Sequence, residues 1–449
     1  MAKHLFGTDG IRGVAGEYPL DAGTVFAFGL ALGTWAKEHS PAQSAPEVLI
    51  GMDTRESGSW LAATVAAGLA KRGVVTRFAG LITTPGVAYL TRRDDFVAGV
   101  MISASHNPYQ DNGLKVFDHS GFKLPDIEEH HLEEQILALV QESGRGDSLA
   151  LTVDEGLDAE YVDYLVSTFP GSLEGLNLVL DCAHGAASHL APELFTRLGA
   201  AVTLTGCSPD GRNINAGCGA LHVATLREKV LAAGAQVGVA FDGDADRCMM
   251  VSAAGRIIDG DHVLFLGGRH LKACSRLPGD RVIATVMSNI GLERALRREN
   301  ISMARTPVGD KYVLEEMLRT GATLGGEQSG HVIFREFANT GDGMLTALRV
   351  LEIGRAAGYD LDGLCAGLQI FPQILVNVRV KNRRPLDELP SVKQAIHSVE
   401  SAFGDGGRVL VRFSGTEPLA RVMVEGPDDE SVKASAERIA SVIREELGS

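Results

Sequence analysis

The chain has 449 residues and a formal net charge of −15, which results from 42 basic and 57 acidic side chains. At about 150 residues per domain, this length predicts roughly three domains, within a range of two to four. The acidic balance argues against a nucleic acid or an anionic membrane as the main partner, because both require concentrated positive charge. An anionic substrate stays compatible with the sequence if local basic clusters outweigh the net charge.

The six cysteines are scattered along the chain, and no pair has C-x-x-C spacing. This spacing argues against a zinc ribbon, a redox pair or a disulfide scaffold, and it predicts free thiols in a reducing cytosol. Residues 1–12 contain no apolar segment of the kind found in secretory signals. No run of about 18 apolar residues occurs, so the sequence predicts no membrane span and a cytoplasmic location.

Strand-like and helix-like segments alternate through most of the chain. The predicted strands of this part lie at residues 47–52, 74–78, 96–102, 178–181, 201–205, 237–241, 282–286 and 303–306. The predicted helices lie at residues 60–71, 192–198, 225–233, 292–298 and 312–318. Such alternation predicts crossover units and largely parallel sheets, in three related α/β domains.

The last part of the chain has a different pattern, because residues 374–380, 409–413 and 421–425 alternate as half-buried strands. Four apolar residues share one face of a predicted terminal helix: Val432, Ala436, Ile439 and Ile443. This combination predicts a smaller α+β domain at the end of the chain. The predicted domains cover residues 1–150, 151–255, 256–370 and 371–449.

The most specific motif is a set of three aspartates at alternating positions, Asp242, Asp244 and Asp246, directly after a predicted strand. In extended backbone these side chains point to one side, so their carboxylates can converge on a hard cation such as Mg²⁺. An EF-hand loop also begins D-x-D-x-D, but it requires Gly and Glu at two later positions that here hold Arg247 and Ala253. A solvated acidic turn is the alternative, although clustering three carboxylates without a cation is costly.

A second candidate loop, residues 103–108 (Ser-Ala-Ser-His-Asn-Pro), follows the predicted strand at 96–102. Active-site loops of parallel sheets lie at the carboxyl ends of strands, so Ser105 could present its hydroxyl to a ligand there. Lys115 follows on the next extended segment and could reach the same loop. Taken alone, the loop is more typical of an ordinary polar turn, and the lysine of a solvated surface residue.

Two further loops offer groups that suit a sugar phosphate. Residues 325–331 (Gly-Gly-Glu-Gln-Ser-Gly-His) place Glu327, Ser329 and His331 between glycines, where they can bind vicinal hydroxyls. Residues 412–418 (Arg-Phe-Ser-Gly-Thr-Glu-Pro), with one more arginine beyond them, combine backbone amides, hydroxyls and guanidinium groups that can hold a phosphate. A polar hairpin and a plain β-turn are the structural alternatives for these two loops.

Together, the four loops closely resemble those of the α-D-phosphohexomutase superfamily. The resemblance covers the full chain and preserves the order of the loops, with one loop in each predicted domain. Within the superfamily, residues 6–13 (Phe-Gly-Thr-Asp-Gly-Ile-Arg-Gly), 102–108 and 326–331 are similar to the bacterial branch that acts on glucosamine phosphates. The resemblance implies three related α/β domains with mixed sheets and a smaller C-terminal α+β domain, arranged around a central cleft.

The resemblance also implies a role for each loop. Ser105 is similar to the serine that carries a phosphoryl group in the active enzyme. Its phosphate and the side chains of Asp242, Asp244 and Asp246 are similar to the ligands of one Mg²⁺ per subunit. The acid–base candidates that the resemblance implies are Arg12, Lys115 and His331. The implied substrate-binding residues are Glu327 and Ser329 for the sugar, and Arg412, Ser414, Gly415, Thr416 and Arg421 for the phosphate that is not transferred.

The implied reaction interconverts glucosamine 6-phosphate and glucosamine 1-phosphate, for use in UDP-N-acetylglucosamine synthesis. Phosphorylation of Ser105 is implied to be needed for activity, with glucosamine 1,6-bisphosphate as intermediate and activator. A homodimer is compatible with the resemblance. The alternatives are a phosphomannomutase/phosphoglucomutase acting on a 2-hydroxyl sugar, a metal-dependent sugar phosphatase and a non-catalytic sugar-phosphate sensor. A sensor would require neither Ser105 nor the aspartate triad, and both are present.

Overall fold

The computed structural model describes residues 5–7, 9–40, 45–93, 96–140, 147–382, 384–414 and 418–448. The chain divides into two compact units. The first unit consists of Met1–Val286 and Met303–Cys365, and the second of Met287–Ser302 and Ala366–Ser449. The described strands form four sheets, three in the first unit and one in the second. Among the described residues, no helix combines the length and the apolar character that a membrane crossing requires.

The first sheet has the order β1-β5-β4-β2-β3. Its region contains β1 (Ile11–Val14), α1 (Ala22–His39), β2 (Glu47–Met52), α2 (Gly58–Lys71), β3 (Val75–Leu81), α3 (Thr84–Arg93), β4 (Ala98–Ile102), β5 (Asp111–Asp118) and α4 (Asp126–Val140). Strand β2 pairs in parallel with β3 and β4, whereas β5 is antiparallel to β4 and β1. All five residues of β4 are buried, as expected for a strand covered on both faces.

The second sheet repeats this plan with the order β10-β9-β8-β6-β7. Its region contains α5 (Leu157–Thr168), β6 (Asn177–Asp181), α6 (Ala187–Arg197), β7 (Ala201–Thr205), α7 (Val223–Ala233), β8 (Val237–Phe241), β9 (Cys248–Ser252) and β10 (Ile257–Ile258). Strand β6 is parallel to β7 and β8, and β9 is antiparallel to β8 and β10. The continuous apolar sequence of β8 is fully buried, so the polar residues that follow it start at the sheet edge.

The third sheet has the order β12-β11-β13-β14. This part of the chain contains α8 (Gly260–Ala273), β11 (Arg281–Thr285), α9 (Ile290–Arg298), β12 (Ser302–Thr306), α10 (Asp310–Thr320), β13 (Leu324–Gly326), β14 (Val332–Phe334), α11 (Gly343–Arg355) and α12 (Leu361–Leu364). Strands β11 and β13 are parallel, and β13 and β14 form an antiparallel pair. Helix α9 belongs to the second unit.

The second unit contains an antiparallel sheet of order β15-β17-β16. Its further elements are β15 (Gln373–Arg379), α13 (Pro390–Phe403), β16 (Arg408–Phe413), β17 (Leu419–Glu425) and α14 (Asp429–Leu447). Helix α14 begins after Asp428, whose side chain accepts a hydrogen bond from the Ser431 amide at 2.8 Å. The four residues predicted to share one face of this helix are fully buried in the core of the unit: Val432, Ala436, Ile439 and Ile443.

The structure confirms the expected fold class, with three mixed-sheet α/β regions and a smaller α+β region at the end of the chain. The prediction of largely parallel sheets was too simple, because each α/β sheet also contains antiparallel strands. The helix predicted near residues 192–198 is present but starts earlier: α6 begins at Ala187 and contains Pro192. Burial of Leu190, Leu194 and Phe195 on one face of α6 offsets the cost of proline inside the helix.

Candidate active site

Three buried carboxylates lie at the carboxyl end of β8. Asp242 and Asp244 are fully buried, Asp246 is 5% exposed, and the three offer oxygen atoms within 4.8 Å of one another. Atom Oδ1 of Asp244 and atom Oδ1 of Asp246 are buried and accept no hydrogen bond from a described residue. Converging hard oxygens with unsatisfied lone pairs fit a divalent cation such as Mg²⁺. The donor set is therefore chemically suited to the predicted metal.

The charges in this cluster are not independent of one another. Burial, with the nearby charges of Asp246 and Asp244, raises the pKa of Asp242 to about 8. Burial also acts to raise the pKa of Asp246, but the positive charges of His331, Lys115 and Arg247 outweigh it and lower that pKa. The cluster without a cation thus favours a proton on one carboxyl group, which a bound divalent cation would replace.

Ser105 lies beside this triad, as the family resemblance implies. Its hydroxyl is buried and donates a hydrogen bond to Asp242 Oδ2 at 2.7 Å. The same hydroxyl is 3.2 Å from Nδ1 of His106, whose pKa is lowered to about 4 by burial and by neighbouring arginines. The backbone φ of Ser105 is 53°, and that of Ala245 in the facing loop is 56°. Both values lie in the left-handed region, which points to loops held in place by their surroundings.

Two side chains that sequence analysis missed hold the Ser105 loop. Arg55 donates from Nη2 to the carbonyl oxygens of Ser105 at 3.1 Å and of Asn107 at 2.7 Å. The side-chain amide of Asn215 donates to the same two oxygens, at 2.9 Å and 3.1 Å. Arg55 itself is ion-paired with Asp53, and both side chains are fully buried. The sequence signal for Asp53 and Arg55 is their position just after β2, at the carboxyl end of a strand.

Lys115 lies on β5 and reaches the triad, whereas the sequence suggested only that it could reach the Ser105 loop. Its ammonium group is 2.8 Å from Asp244 Oδ2, 3.0 Å from Asp9 Oδ2 and 3.8 Å from Asp246 Oδ2, and its side chain is 1% exposed. Burial alone would lower the pKa of Lys115, but the charges of Asp244, Asp9 and Asp246 outweigh it and raise that pKa. Lys115 is therefore a fixed positive charge at neutral pH.

A closed ring of alternating charges surrounds one side of the triad. Continuing from Lys115 through Asp9, the ring passes to Lys123, whose Nζ is 2.5 Å from Asp9 Oδ1 and 2.5 Å from Asp310 Oδ2. It continues to His331, with Nε2 3.9 Å from Asp310 Oδ2 and Nδ1 3.7 Å from Asp246 Oδ2. Asp246 closes the ring through Lys115. Because β5, the loop after β8, and α10 with the β13–β14 loop each supply members, the ring connects the first three sheet regions at the site.

His331 stands between two protonation states in this ring. Burial would lower its pKa, but Asp246 and, less strongly, Asp310 and Glu327 outweigh burial and raise the pKa to about 9. The Gly341 amide donates to Nε2 of His331 at 3.0 Å, which requires a lone pair on that atom. A ring with its proton on Nδ1 satisfies this hydrogen bond, whereas protonation of Nε2 breaks it. The neighbouring carboxylates and the Gly341 hydrogen bond therefore favour different protonation states of the ring.

Arg12 and the predicted sugar-binding residues Glu327 and Ser329 also lie in the first unit. Arg12, on β1, is ion-paired with Asp9 and donates from Nη1 to the Ala104 carbonyl at 3.4 Å. Glu327 is half-buried after β13, and its Oε1 accepts a hydrogen bond from the Gly309 amide at 3.0 Å. Ser329 lies exposed in the same loop. The loop is thus folded back toward residue 309, with its serine open to solvent.

Thr84 is another residue that the sequence did not reveal. At the start of α3, its hydroxyl donates to Asp244 Oδ2 at 2.5 Å, and its backbone amide donates to the Asp244 carbonyl at 3.0 Å. These two hydrogen bonds fix the orientation of the central carboxylate of the triad. A lone threonine after a strand has no pattern that distinguishes it from a surface residue.

In the second unit, the structure brings the two predicted arginines together. Arg412 on β16 and Arg421 on β17 are direct partners in the antiparallel register. Burial, followed by the charge of Arg421, lowers the pKa of Arg412. Ser414 is buried after β16, and its amide donates to the Leu419 carbonyl at 2.8 Å. Gly415 and Thr416 lie outside the described residues, so the structure places only part of this predicted cradle.

Comparison with protein families gives matches along almost the whole chain. Models described as phosphoglucomutase/phosphomannomutase alpha/beta/alpha domains I, II and III match residues 3–142, 159–255 and 259–371. A model described as the phosphoglucomutase/phosphomannomutase C-terminal domain matches residues 375–442. The order of the four matches is the order of the four sheets in the structure.

Individual proteins are similar over the same length. A phosphoglucosamine mutase of Solibacter usitatus is 61% identical over 448 residues and covers 100% of both chains. A phosphoglucosamine mutase of Koribacter versatilis is 50% identical over 455 aligned positions, covering 99% of this chain and 98% of the relative. A solved phosphoglucomutase/phosphomannomutase family protein of Burkholderia thailandensis is 25% identical with a TM-score of 0.79, covering 98% and 97% of the two chains.

The charge ring leads to a prediction about Lys123. We expect Lys123→Met to lower the free energy of unfolding by about 3 kcal/mol, because Asp9 and Asp310 then face each other without their shared cation. Urea denaturation measures this loss. The matched control is Lys311→Met, whose partner Asp126 is 62% exposed; we expect a loss below about 1 kcal/mol there. Equal losses in the two variants would contradict the structural importance of the ring.

Proposed function

Since the chain belongs to the phosphoglucomutase/phosphomannomutase family, we propose that it interconverts glucosamine 6-phosphate and glucosamine 1-phosphate. Its full-length relatives at 61% and 50% identity carry the name phosphoglucosamine mutase. The observation that carries the chemistry is the 2.7 Å hydrogen bond from Ser105 to the buried aspartate triad. A product of this kind would supply UDP-N-acetylglucosamine synthesis.

Ser105 is the phosphoryl carrier in the proposed reaction. Phosphorylated Oγ gives its phosphoryl group to O1 of glucosamine 6-phosphate: the Oγ–P bond breaks and the O1–P bond forms. The resulting glucosamine 1,6-bisphosphate turns over in the site and returns its 6-phosphoryl group to Oγ. Each round restores the phosphorylated serine, so phosphorylation of Ser105 is a requirement for activity in this proposal.

The residues that would hold a magnesium ion are Asp242, Asp244, Asp246 and the oxygen on Ser105. The unsatisfied Oδ1 atoms of Asp244 and Asp246 and the raised pKa of Asp242 support a divalent cation at this place. When bound, Mg²⁺ supplies neutralisation of charge on the phosphoryl oxygens. Lys115 adds a fixed positive charge beside the same oxygens, and Thr84 keeps the central carboxylate oriented.

The acid–base roles follow from the proton each group can exchange. Lys115 keeps its proton because the surrounding carboxylates raise its pKa, so we assign it charge stabilisation. Arg12 carries a guanidinium group, which does not give up its proton in proteins, so we assign it charge stabilisation as well. His331, whose pKa is raised to about 9 mainly by Asp246, carries its second proton at neutral pH, so we assign it the role of an acid rather than a base.

Recognition of the substrate is assigned to two further loops. We assign Glu327 and Ser329 to the sugar hydroxyls, because both are polar side chains of the loop between β13 and β14. We assign Arg412 and Arg421 to the phosphate that is not transferred. Two neighbouring guanidinium groups, one of them with a pKa lowered by burial and by the other's charge, gain from a bound dianion.

Initial rates on three hexose 6-phosphates test the proposal. We expect kcat/KM for glucosamine 6-phosphate to exceed the values for glucose 6-phosphate and mannose 6-phosphate by about tenfold or more, equivalent to about 1.4 kcal/mol of transition-state binding. A preference for a 2-hydroxyl sugar would instead identify a phosphomannomutase/phosphoglucomutase. Release of inorganic phosphate at a rate comparable to isomerisation would favour a sugar phosphatase.

Substitution of the proposed carrier gives a second test. We expect Ser105→Ala to leave the fold intact and to reduce the isomerisation rate to below about a tenth of wild type, because no oxygen remains to carry the phosphoryl group. The control is Ser59→Ala at an exposed position, which should keep full activity. Intact-protein mass before and after phosphatase treatment reports the phosphorylation of each protein. Retained activity in Ser105→Ala would refute the assignment of the carrier.

A further inference from the structure

Two cysteines that are distant in sequence meet at the carboxyl ends of β6 and β7. Asp181 at the end of β6 pairs in register with Thr205 at the end of β7. The Cys182 amide donates to the Thr205 carbonyl oxygen at 3.2 Å, and the Cys207 thiol donates to the same oxygen at 3.1 Å. A single carbonyl oxygen therefore contacts both cysteine residues.

The two thiols have different environments. Cys182 is fully buried, whereas Cys207 is partly exposed. The pKa of Cys182 is raised and the pKa of Cys207 is lowered. The largest cause of both shifts is the hydrogen bond between the two side chains. Burial and the charge of Asp181 raise the pKa of the third nearby thiol, Cys218, to about 11. Cys207 thus combines access to solvent with the more acidic thiol of the pair.

We propose that Cys182 and Cys207 form a reversible disulfide when the protein meets a low-molecular-weight disulfide such as oxidised glutathione. The Cys207 thiolate attacks one sulfur of the oxidant, forms a mixed disulfide and releases the first glutathione thiolate. The Cys182 thiolate then attacks the Cys207 sulfur and releases the second glutathione. The protein loses two thiol protons and two electrons, and the oxidant is reduced to two thiols.

The loop that starts at Cys182 supports the active site. The Ala183 carbonyl oxygen accepts a hydrogen bond from the backbone amide of Asn215 at 2.9 Å. The side chain of Asn215 in turn donates to the carbonyl oxygens of Ser105 and Asn107. At the other end, the Ala186 amide donates to the Gly243 carbonyl at 2.8 Å, inside the aspartate motif. A β-carbon at Gly185 would lie 2.3 Å from that carbonyl oxygen, so the two backbones have no slack between them.

A disulfide at the start of this loop should therefore slow the reaction. Bond formation requires β-carbons about 3.5–4.5 Å apart and a fixed torsion about the sulfur–sulfur bond, which free thiols do not require. Any resulting shift of residues 182–186 passes to Ser105 through Asn215 and to the triad through Gly243. Even a displacement of about 1 Å at a phosphoryl carrier reduces the rate strongly, because transfer depends on the alignment of the reacting groups.

Treatment of the full-length protein with oxidised glutathione tests the proposal. We expect peptide mapping to identify a Cys182–Cys207 disulfide with loss of two hydrogen atoms, and dithiothreitol to restore both thiols. Cys207→Ser should prevent this bond, and Cys218→Ser should not. Exposed Cys274 is the internal control, since it should form only a mixed disulfide with glutathione.

Other products would overturn the proposal. A stable glutathione adduct on Cys207 would show that Cys182 cannot resolve it, and a Cys182–Cys218 bond would assign the wrong pair. Unreacted Cys182 and Cys207 beside modified Cys274 would also refute it. These mass measurements do not depend on the proposed sugar specificity.

The effect on catalysis has its own readout. We expect the isomerisation rate of the oxidised wild-type protein to fall about tenfold and to recover on reduction, in line with the cost of misaligned groups. Cys207→Ser treated in the same way should keep its rate. An unchanged rate in fully oxidised wild-type protein would contradict the connection between the thiol pair and the site.

Discussion

The active site depends on the burial of three carboxylates at one strand end. Removing Asp242, Asp244 and Asp246 from water costs free energy that can be offset only by nearby positive charge and hydrogen bonds. Lys115 on β5 and His331 after β13 supply part of this charge, although they are far away in the sequence. The packing of the first three sheet regions is therefore tied to the same cluster that would hold a metal ion.

The charge ring shows how one cluster organises a larger region. Asp9 contacts three cations and Asp310 contacts two, and Lys115, Lys123 and His331 are each shared between neighbouring carboxylates. Lys123 forms its ion pairs with Asp9 and Asp310 rather than with the triad. By holding Asp310, it also fixes the carboxylate that faces one side of His331. His331 is positioned in this way by groups that themselves need no contact with substrate.

Sequence analysis identified the residues whose chemistry is concentrated in short motifs. Three aspartates at alternating positions after an apolar strand predict their own convergence, whereas Ser105 was singled out by the resemblance of its loop to the family motif. Partners from other elements, such as Arg55, Asn215 and Lys123, carry no such spacing, because only the tertiary fold brings them to the site. Around Arg412, the structure shows Arg412 and Arg421 as register partners, and their role in binding a phosphate stays a prediction.

The same limitation applies to the fold and to the cysteines, although all six thiols are free as predicted. Strand alternation predicts crossover units, but the antiparallel strands β5 and β9 are specified by tertiary pairing as much as by their own sequence. The absence of C-x-x-C spacing argued against a redox pair, yet β6 and β7 bring Cys182 and Cys207 to one carbonyl oxygen. Spacing rules describe local motifs and do not detect cysteines that neighbouring strands bring together.

Anomalous scattering from crystals grown with Mn²⁺ in place of Mg²⁺ tests the central claim most directly. The account predicts one strong peak in contact with carboxylate oxygens of Asp242, Asp244 and Asp246 and with the Ser105 oxygen. In Asp244→Asn crystals grown in the same way, that peak should weaken or vanish, because a hard anionic ligand is lost. A wild-type protein with no peak at the triad, or with its main peak elsewhere in the first unit, would contradict the account.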